Sequence, residues 1–296
     1  MPRMGVTALL VPVLLAGTVH PASRLSVLVV SEAGVDAYNE ALSGVTMVLP
    51  AGSFRLVDAG GKAFDHEIAG ALEGNESRVI IAVGSRALAE VRARHAGLPI
   101  VSTMVVHAGE ADAAVRRVAV EIPLSVQLAA MKSLWPGRVR AGIIRGHGQA
   151  RVPIEVLEAI ARKEGFSLAV VDCDGPPHLL KALAAFKGKV DFVLCPPDSD
   201  LYNAVTIKPL VLASLEQRLP LVGFSPAFVR AGAAAGIFPD YGDMGRQSAE
   251  MALRLMRGED HVGDEAPRKV SVAVNQRVTR LLGVEFRPDS AVEVYK

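Results

Sequence analysis

The residues of this chain that could do chemistry are scattered, and their arrangement favours recognition over catalysis. Its seven histidines include no pair at metal-ligand spacing. The chain has no G-x-S-x-G nucleophile elbow. What recurs is a polar or glycine residue just after a short apolar run: Ser31, Gly84-Ser85, Thr103, Arg145, Asp198-Ser199, Ser225 and Asp240. Such a set can hold a small molecule with charges of both signs. A ligand carboxylate suits the helix start at Gly84-Ser85, where unpaired N–H groups and the helix dipole attract anions. The hydroxyls of Ser85 and Thr103 can add hydrogen bonds. A ligand ammonium suits Asp198 or Asp240. Arg86 and Arg145 offer the alternative of a site that favours a bare anion. Capping of a following helix accounts equally well for Ser85, Ser225 and Asp198, each taken alone.

The elements that must position these residues follow from the alternation of apolar runs and amphipathic stretches. Strands are expected at 25–30, 54–58, 78–83 and 99–103, with helices at 35–45, 64–72 and 86–94 between them. This is a β-α repeat with short connections, as in a parallel sheet covered on both faces. The stretch 107–121 breaks the pattern, apart from a short extended run at 118–122 that ends at Pro123. After a helix at 124–134 the repeat restarts. Strands are expected at 139–144, 167–173, 190–195, 221–224, 234–238 and 269–274. Helices are expected at 153–164, 177–186, 204–218, 225–230 and 244–257. The run 190–195 stops at Pro196-Pro197, which cannot donate to a ladder, so Asp198 falls on a loop at a strand's carboxyl end. The restart implies two similar α/β lobes, with crossings near 118–123, 241–245 and 267–270 and a cleft between them.

Composition narrows the class further. The 296 residues are half hydrophobic and nearly charge-balanced, with 32 basic and 31 acidic side chains. That length suits two domains, and the balance argues against a nucleic-acid partner. The first 23 residues read as a signal peptide, with Arg3 followed by a short apolar run and then small and polar residues. Thr18 stands where a lipidated cysteine would be needed, so the protein is expected to be exported and not anchored. Cys173 and Cys195 close two different strands with a third expected between them, which is too far apart for a disulfide.

The segment 221–259, and in particular D-Y-x-x-x-G-R-Q-x-A-E-M-A from Asp240 to Ala252, resembles bacterial ABC transporter substrate-binding proteins of the tryptophan/tyrosine-binding type. Weaker matches are I-A-V-G-S at 81–85, L-P-I-V at 98–101, G-K-V-D-F-V-L-C-P-P-D-S at 188–199 and V-N-Q-R-V-T-R-L-L-G-V at 274–284. The resemblance spans the mature chain. It implies an α/β fold of two similar doubly wound parallel-sheet lobes joined by a multi-strand hinge, the first class of periplasmic binding proteins. It departs from the family at Arg145-Gly146-His147-Gly148 and at Pro226, both in loops that would meet the ligand.

Taken with the residues, the resemblance implies a periplasmic solute-binding protein. It would be monomeric, without cofactor, metal or catalytic activity, and would deliver an amino acid or similar carboxylate to an ABC permease. The first lobe is expected to comprise 24–120 plus 243–268, and the second 121–242 plus 269–296. A second reading is an exported sensory or accessory module that uses the same cleft to regulate a membrane partner.

Overall fold

A computed structural model describes residues 27–73, 78–94, 97–106, 112–146, 152–259, 261–287 and 292–296. The stretch expected to be a signal peptide, and His147, lie outside these residues. The first sheet has five parallel strands in the order β2-β1-β3-β4-β5. They are β1 (Val27–Ser31), β2 (Phe54–Asp58), β3 (Val79–Val83), β4 (Ile100–Thr103) and β5 (Val115–Val118). Strands β1 and β3 are buried along their whole length, as near-continuous Val/Ile/Leu runs should be when both faces are covered. One face carries α2 (Phe64–Glu73) and α3 (Ser85–Arg94); the other carries α1 (Asp36–Val48) and α9 (Tyr241–Met256).

The second sheet holds seven strands in the order β12-β11-β10-β9-β8-β6-β7. They are β6 (Arg140–Gly146), β7 (Ser167–Cys173), β8 (Phe192–Leu194), β9 (Leu221–Gly223), β10 (Ala235–Pro239), β11 (Val270–Asn275) and β12 (Val292–Tyr295). Only the β10–β11 pair is antiparallel. The helices of this half are α4 (Leu124–Leu134), α5 (Ile154–Glu164), α6 (Leu179–Ala184), α7 (Ile207–Glu216), α8 (Pro226–Ala231) and α10 (Gln276–Leu282). Trp135, Phe166 and Phe192 pack edge-on in its core.

Both sheets start with the same doubly wound order. The first strand of each lies inside its second and beside its third, so each sheet has a topological switch point, β1/β3 in one and β6/β8 in the other. Ligands in open α/β sheets bind outside the strand carboxyl ends at such points. The chain crosses between the sheets after β5, between β10 and α9, and between α9 and β11. The crossings run side by side: Val118 bridges Glu265, and the Asp240 N–H donates to the Lys269 carbonyl at 3.0 Å.

Glycines let α1 and α9 approach closely. A Cβ on Gly44 would lie 1.9 Å from the Gly242 carbonyl oxygen, and one on Gly245 would lie 1.8 Å from that of Ala41. No larger residue fits at either position.

Several expectations need correction. The stretch expected to lack a partner contains β5, the edge strand of the first sheet. Its adjacent Arg116 and Arg117 hid it; they reach across to the Val262 carbonyl and the Asp264 carboxylate. Helix α9 begins at Tyr241, so the expected lobe boundary at residue 243 falls inside it. The C-terminal segment supplies two further elements, α10 and β12. As expected, in contrast, Cys173 and Cys195 are free, and β6 lies between their strands. Burial pushes the Cys195 thiol up to about 12.

Candidate functional site

The candidate site consists of the carboxyl ends at the two switch points, and these differ in how their polar groups are occupied. In the first sheet β3 ends at Val83, and Gly84 turns the chain into α3 with φ +95°. Only glycine fits there. The conformation is left-handed, and a Cβ would lie 2.6 to 2.8 Å from Tyr38 ring and hydroxyl atoms. Burial and the neighbouring Glu32 raise the pKa of the Tyr38 phenol. The residue before α3 therefore has no side chain with which to cap it. The first-turn N–H groups have no intrahelical acceptor, and that turn contains no acidic residue. Ser85, the first residue of α3, is exposed.

Ser31 and Thr103 flank Val83 in register on the neighbouring strands. They point to the face covered by α1 and α9. Ser31 is 3% exposed and Thr103 is 0% exposed. Neither hydroxyl has a hydrogen-bond partner in the protein, and neither reaches solvent in this conformation. Thr103 is followed by Met104 in the left-handed region at φ 58°, and the Thr103 carbonyl accepts from the Gly84 N–H at 2.9 Å. The two neighbouring strands thus end in matched left-handed turns. Arg86, a candidate for drawing an anion, is paired with Glu32 at 3.2 Å.

At the second switch point the polar groups already have partners. Arg145 was expected on a loop, but β6 continues through it to Gly146. Its side chain is buried, and its guanidinium forks onto Asp172 of β7 at 2.7 and 3.2 Å while donating to the Val152 carbonyl. Hydrogen bonding to Asp172 raises its pKa further. The continuous pairing of β6 with β7 holds it there, so it braces two strands and leaves its charge matched. Asp198 is 1% exposed, and its Oδ1 accepts from the N–H groups of Asp200 and Leu201, both at 3.0 Å. It lies against Gly146, where a Cβ would come within 2.1 Å of its Oδ2. Ser199, next along, is exposed.

Behind this loop, Tyr202 packs against Phe224 and Phe228, with ring centroids 6.0 and 5.7 Å away. Burial raises the Tyr202 phenol pKa well above its ordinary value. Ser225 and Asp240 are half-buried caps, accepting from the Phe228 N–H at 3.2 Å and the Asp243 N–H at 2.7 Å. Tyr241, beside Asp240, is pushed up to about 12 by burial.

Ser85 and Ser199 are thus the candidates that face solvent fully, and Ser225 and Asp240 do so in part. Gly84, Ser31, Thr103, Arg145 and Asp198 lie beneath the surface. Reading the sequence missed Tyr38, which roofs Gly84; its helical position on an apolar face gave no sign of that contact. Two concavities lie elsewhere. One of about 710 Å³ is lined by Gln276, Arg277, Arg280, Leu281 and Lys296. The other, about 270 Å³, lies between α9 and the crossing that follows it. Among the described residues no group of three or more His, Cys, Asp or Glu side chains could hold a metal. No described helix is long and apolar enough to cross a membrane.

Comparison with known proteins places this arrangement. The family model for ABC transporter substrate binding proteins matches residues 62–290. A tyrosine-binding protein of Clostridioides difficile (strain R20291) is 23% identical over 136 residues, covering 45% of this chain and 39% of that protein. Among solved structures, the ligand-free, open form of a substrate-binding protein with adhesive properties from Clostridium difficile aligns with a TM-score of 0.67 at 17% identity. It covers 92% of this chain and 99% of that one. An ABC domain in complex with L-Trp from Streptococcus pneumonia aligns with a TM-score of 0.61 at 16% identity, covering 92% and 100%. These similarities establish the fold of two parallel-sheet lobes. The family binds solutes and is not one of enzymes. The chain belongs to the ABC transporter substrate binding protein family.

Proposed function

We propose that this chain is an exported solute-binding protein that captures a small organic ligand, an amino acid, between the strand ends of its two lobes and delivers it to an ABC permease. The observation that carries this reading is the start of α3. It lies at a switch point, its preceding residue is forced to be glycine, and no acidic residue occupies its first turn. A helix N-terminus in that state suits a ligand carboxylate, with the exposed Ser85 hydroxyl as a further donor. The Asp240 carboxylate, half-exposed at a crossing, is assigned to the ligand ammonium. Ser199 and Ser225 complete the opposite wall. With Arg86 and Arg145 both paired to carboxylates, a zwitterion suits the cleft better than a bare anion.

The lobes are proposed to divide at the three crossings, with α9 belonging wholly to the first. The relatives that bind tyrosine and tryptophan make the aromatic amino acids the first ligands to test. Export to the periplasm rests on residues 1–23, and permease delivery rests on family membership.

The test is a thermal-shift screen of L-tyrosine, L-tryptophan, aliphatic amino acids and small dicarboxylates. A specific ligand at a hundredfold excess over its Kd stabilises by about 2.7 kcal/mol. Stabilisation by an amino acid, absent with its decarboxylated amine, is the expected result. Stabilisation by dicarboxylates alone would overturn the assignment.

A further inference from the structure

The ion-pair cluster where α9 meets the crossing into β11 is not used by the site above. Asp243, in the first turn of α9, is 5% exposed. Its Oδ1 accepts from Arg246 at 3.0 Å, whereas its Oδ2 has no hydrogen bond from the protein. Two cations of the crossing stand just outside hydrogen-bond reach: Arg268 Nε is 3.7 Å from Oδ2, and Lys269 Nζ is 3.8 Å from Oδ1. Arg268 instead donates through Nη1 to Glu250 on the next turns of α9, at 2.7 Å. Gln247 lies between them on the same helix and is 2% exposed. Its Nε2 is fixed by Glu265 Oε2 and the Ala266 carbonyl, leaving its Oε1 without a protein donor.

Asp243 Oδ2 therefore faces a cation of the crossing and lacks a donor in this conformation, with a second buried acceptor, Gln247 Oε1, unmatched one turn along the same helix. A buried acceptor without a donor is unfavourable. A sub-ångström shift of Arg268 along α9, toward Asp243 and away from Glu250, would supply the donor that Asp243 lacks and lengthen the exposed Glu250 pair. A crossing between lobes is where such a shift accompanies hinge motion.

We propose that Arg268 is a positioning residue that sets ligand affinity by exchanging Glu250 for Asp243 as the hinge moves. The two pairs differ in environment. Arg268 and Glu250 are each 46% exposed, whereas the Asp243 side chain is 7% exposed. The buried Asp243 charge depends more on a partner than the solvated Glu250 charge does, so losing Arg268 disfavours the conformation that pairs it with Asp243, the ligand-competent one under this proposal. Apparent affinity falls in proportion to the population of the competent conformation. This inference rests on the reading of the chain as a hinged amino-acid-binding protein.

The test compares Arg268→Gln, Arg268→Lys and Glu250→Gln, all at half-exposed positions. L-tyrosine and L-tryptophan serve as probes in calorimetry. Distances are measured in parallel in ligand-free protein, between spin labels at Met47→Cys and Val205→Cys. Those positions are 69% and 80% exposed, while both native cysteines are buried. Arg268→Gln is expected to weaken binding about tenfold. Glu250→Gln should tighten it about twofold to fivefold, and Arg268→Lys should recover most of the loss. The label distance should shift in opposite directions in the Gln variants.

A merely structural role would make both Gln variants weaker or leave both unchanged, and either result overturns the proposal. If neither amino acid binds the parent protein, the ligand reading fails. The ligand-free distances then decide alone: opposite shifts support the exchange, and shifts of the same sign, or none, refute it.

Discussion

The two switch points share one topology and differ in what their polar groups are doing. At the second, all candidates but the exposed Ser199 are already matched: Arg145 with Asp172, Asp198 with two backbone N–H groups, and Ser225 and Asp240 with the helices they precede. At the first, a helix begins after a glycine that cannot cap it, with two buried hydroxyls behind it that have no protein partner. A matched group contributes to folding, and an unmatched one at a strand's carboxyl end is free to serve recognition. The difference assigns the two edges separate duties. In the proposed reading, the first would supply the strongest polar anchor for a ligand, and the second would be mainly a rigid opposing wall.

The largest expected effect comes from giving α3 the cap it lacks. Gly84→Ser should cost about 2–4 kcal/mol, because a left-handed conformation and a collision with the Tyr38 ring coincide. Chemical denaturation measures this. A loss below 1 kcal/mol would mean that Tyr38 yields and that glycine is not obligatory. On the other edge, Arg145→Met should lose roughly 1–3 kcal/mol by leaving the Val152 carbonyl and Asp172 without their donor. Its effect on ligand affinity should be small once the variant is folded, and a selective loss of affinity would make Arg145 a contact after all.

Asp240→Ala should cost about 1 kcal/mol in stability as a lost N-cap. Asp240→Ser keeps the cap and removes the charge, so it separates folding from recognition of the ammonium. The smallest effect is expected at the rim. The Arg86–Glu32 pair is largely solvated, and Arg86→Ala should change stability by less than about 0.5 kcal/mol.

Much of the architecture was legible because buried parallel strands have an unmistakable composition. Residues 54–58 and 167–173 were assigned with the bounds the structure shows, as was the helix at 124–134. Strand β5 was not, because an edge strand tolerates the charges of Arg116 and Arg117, which are matched only by residues far along the chain. The candidate site was legible in position and less so in role. Residues after apolar runs do gather at strand ends. Whether such a residue is capped, paired or free depends on partners that sequence spacing does not reveal. Asp172, which engages Arg145, is 27 residues away, and Tyr38 reaches Gly84 only through the packing of α1 on the sheet.

The most direct test is Ser85→Asp, followed by calorimetric titration with the amino acid identified in the ligand screen and by thermal melting. An acidic residue in the first turn complements the helix dipole, so ligand-free stability should rise by about 0.3–1 kcal/mol. The same carboxylate competes with that of the ligand, so affinity should fall at least about tenfold, or 1.4 kcal/mol. Higher stability with lost binding is the result this account predicts. Unchanged affinity in a stably folded Ser85→Asp protein would contradict it and move the anchor away from α3.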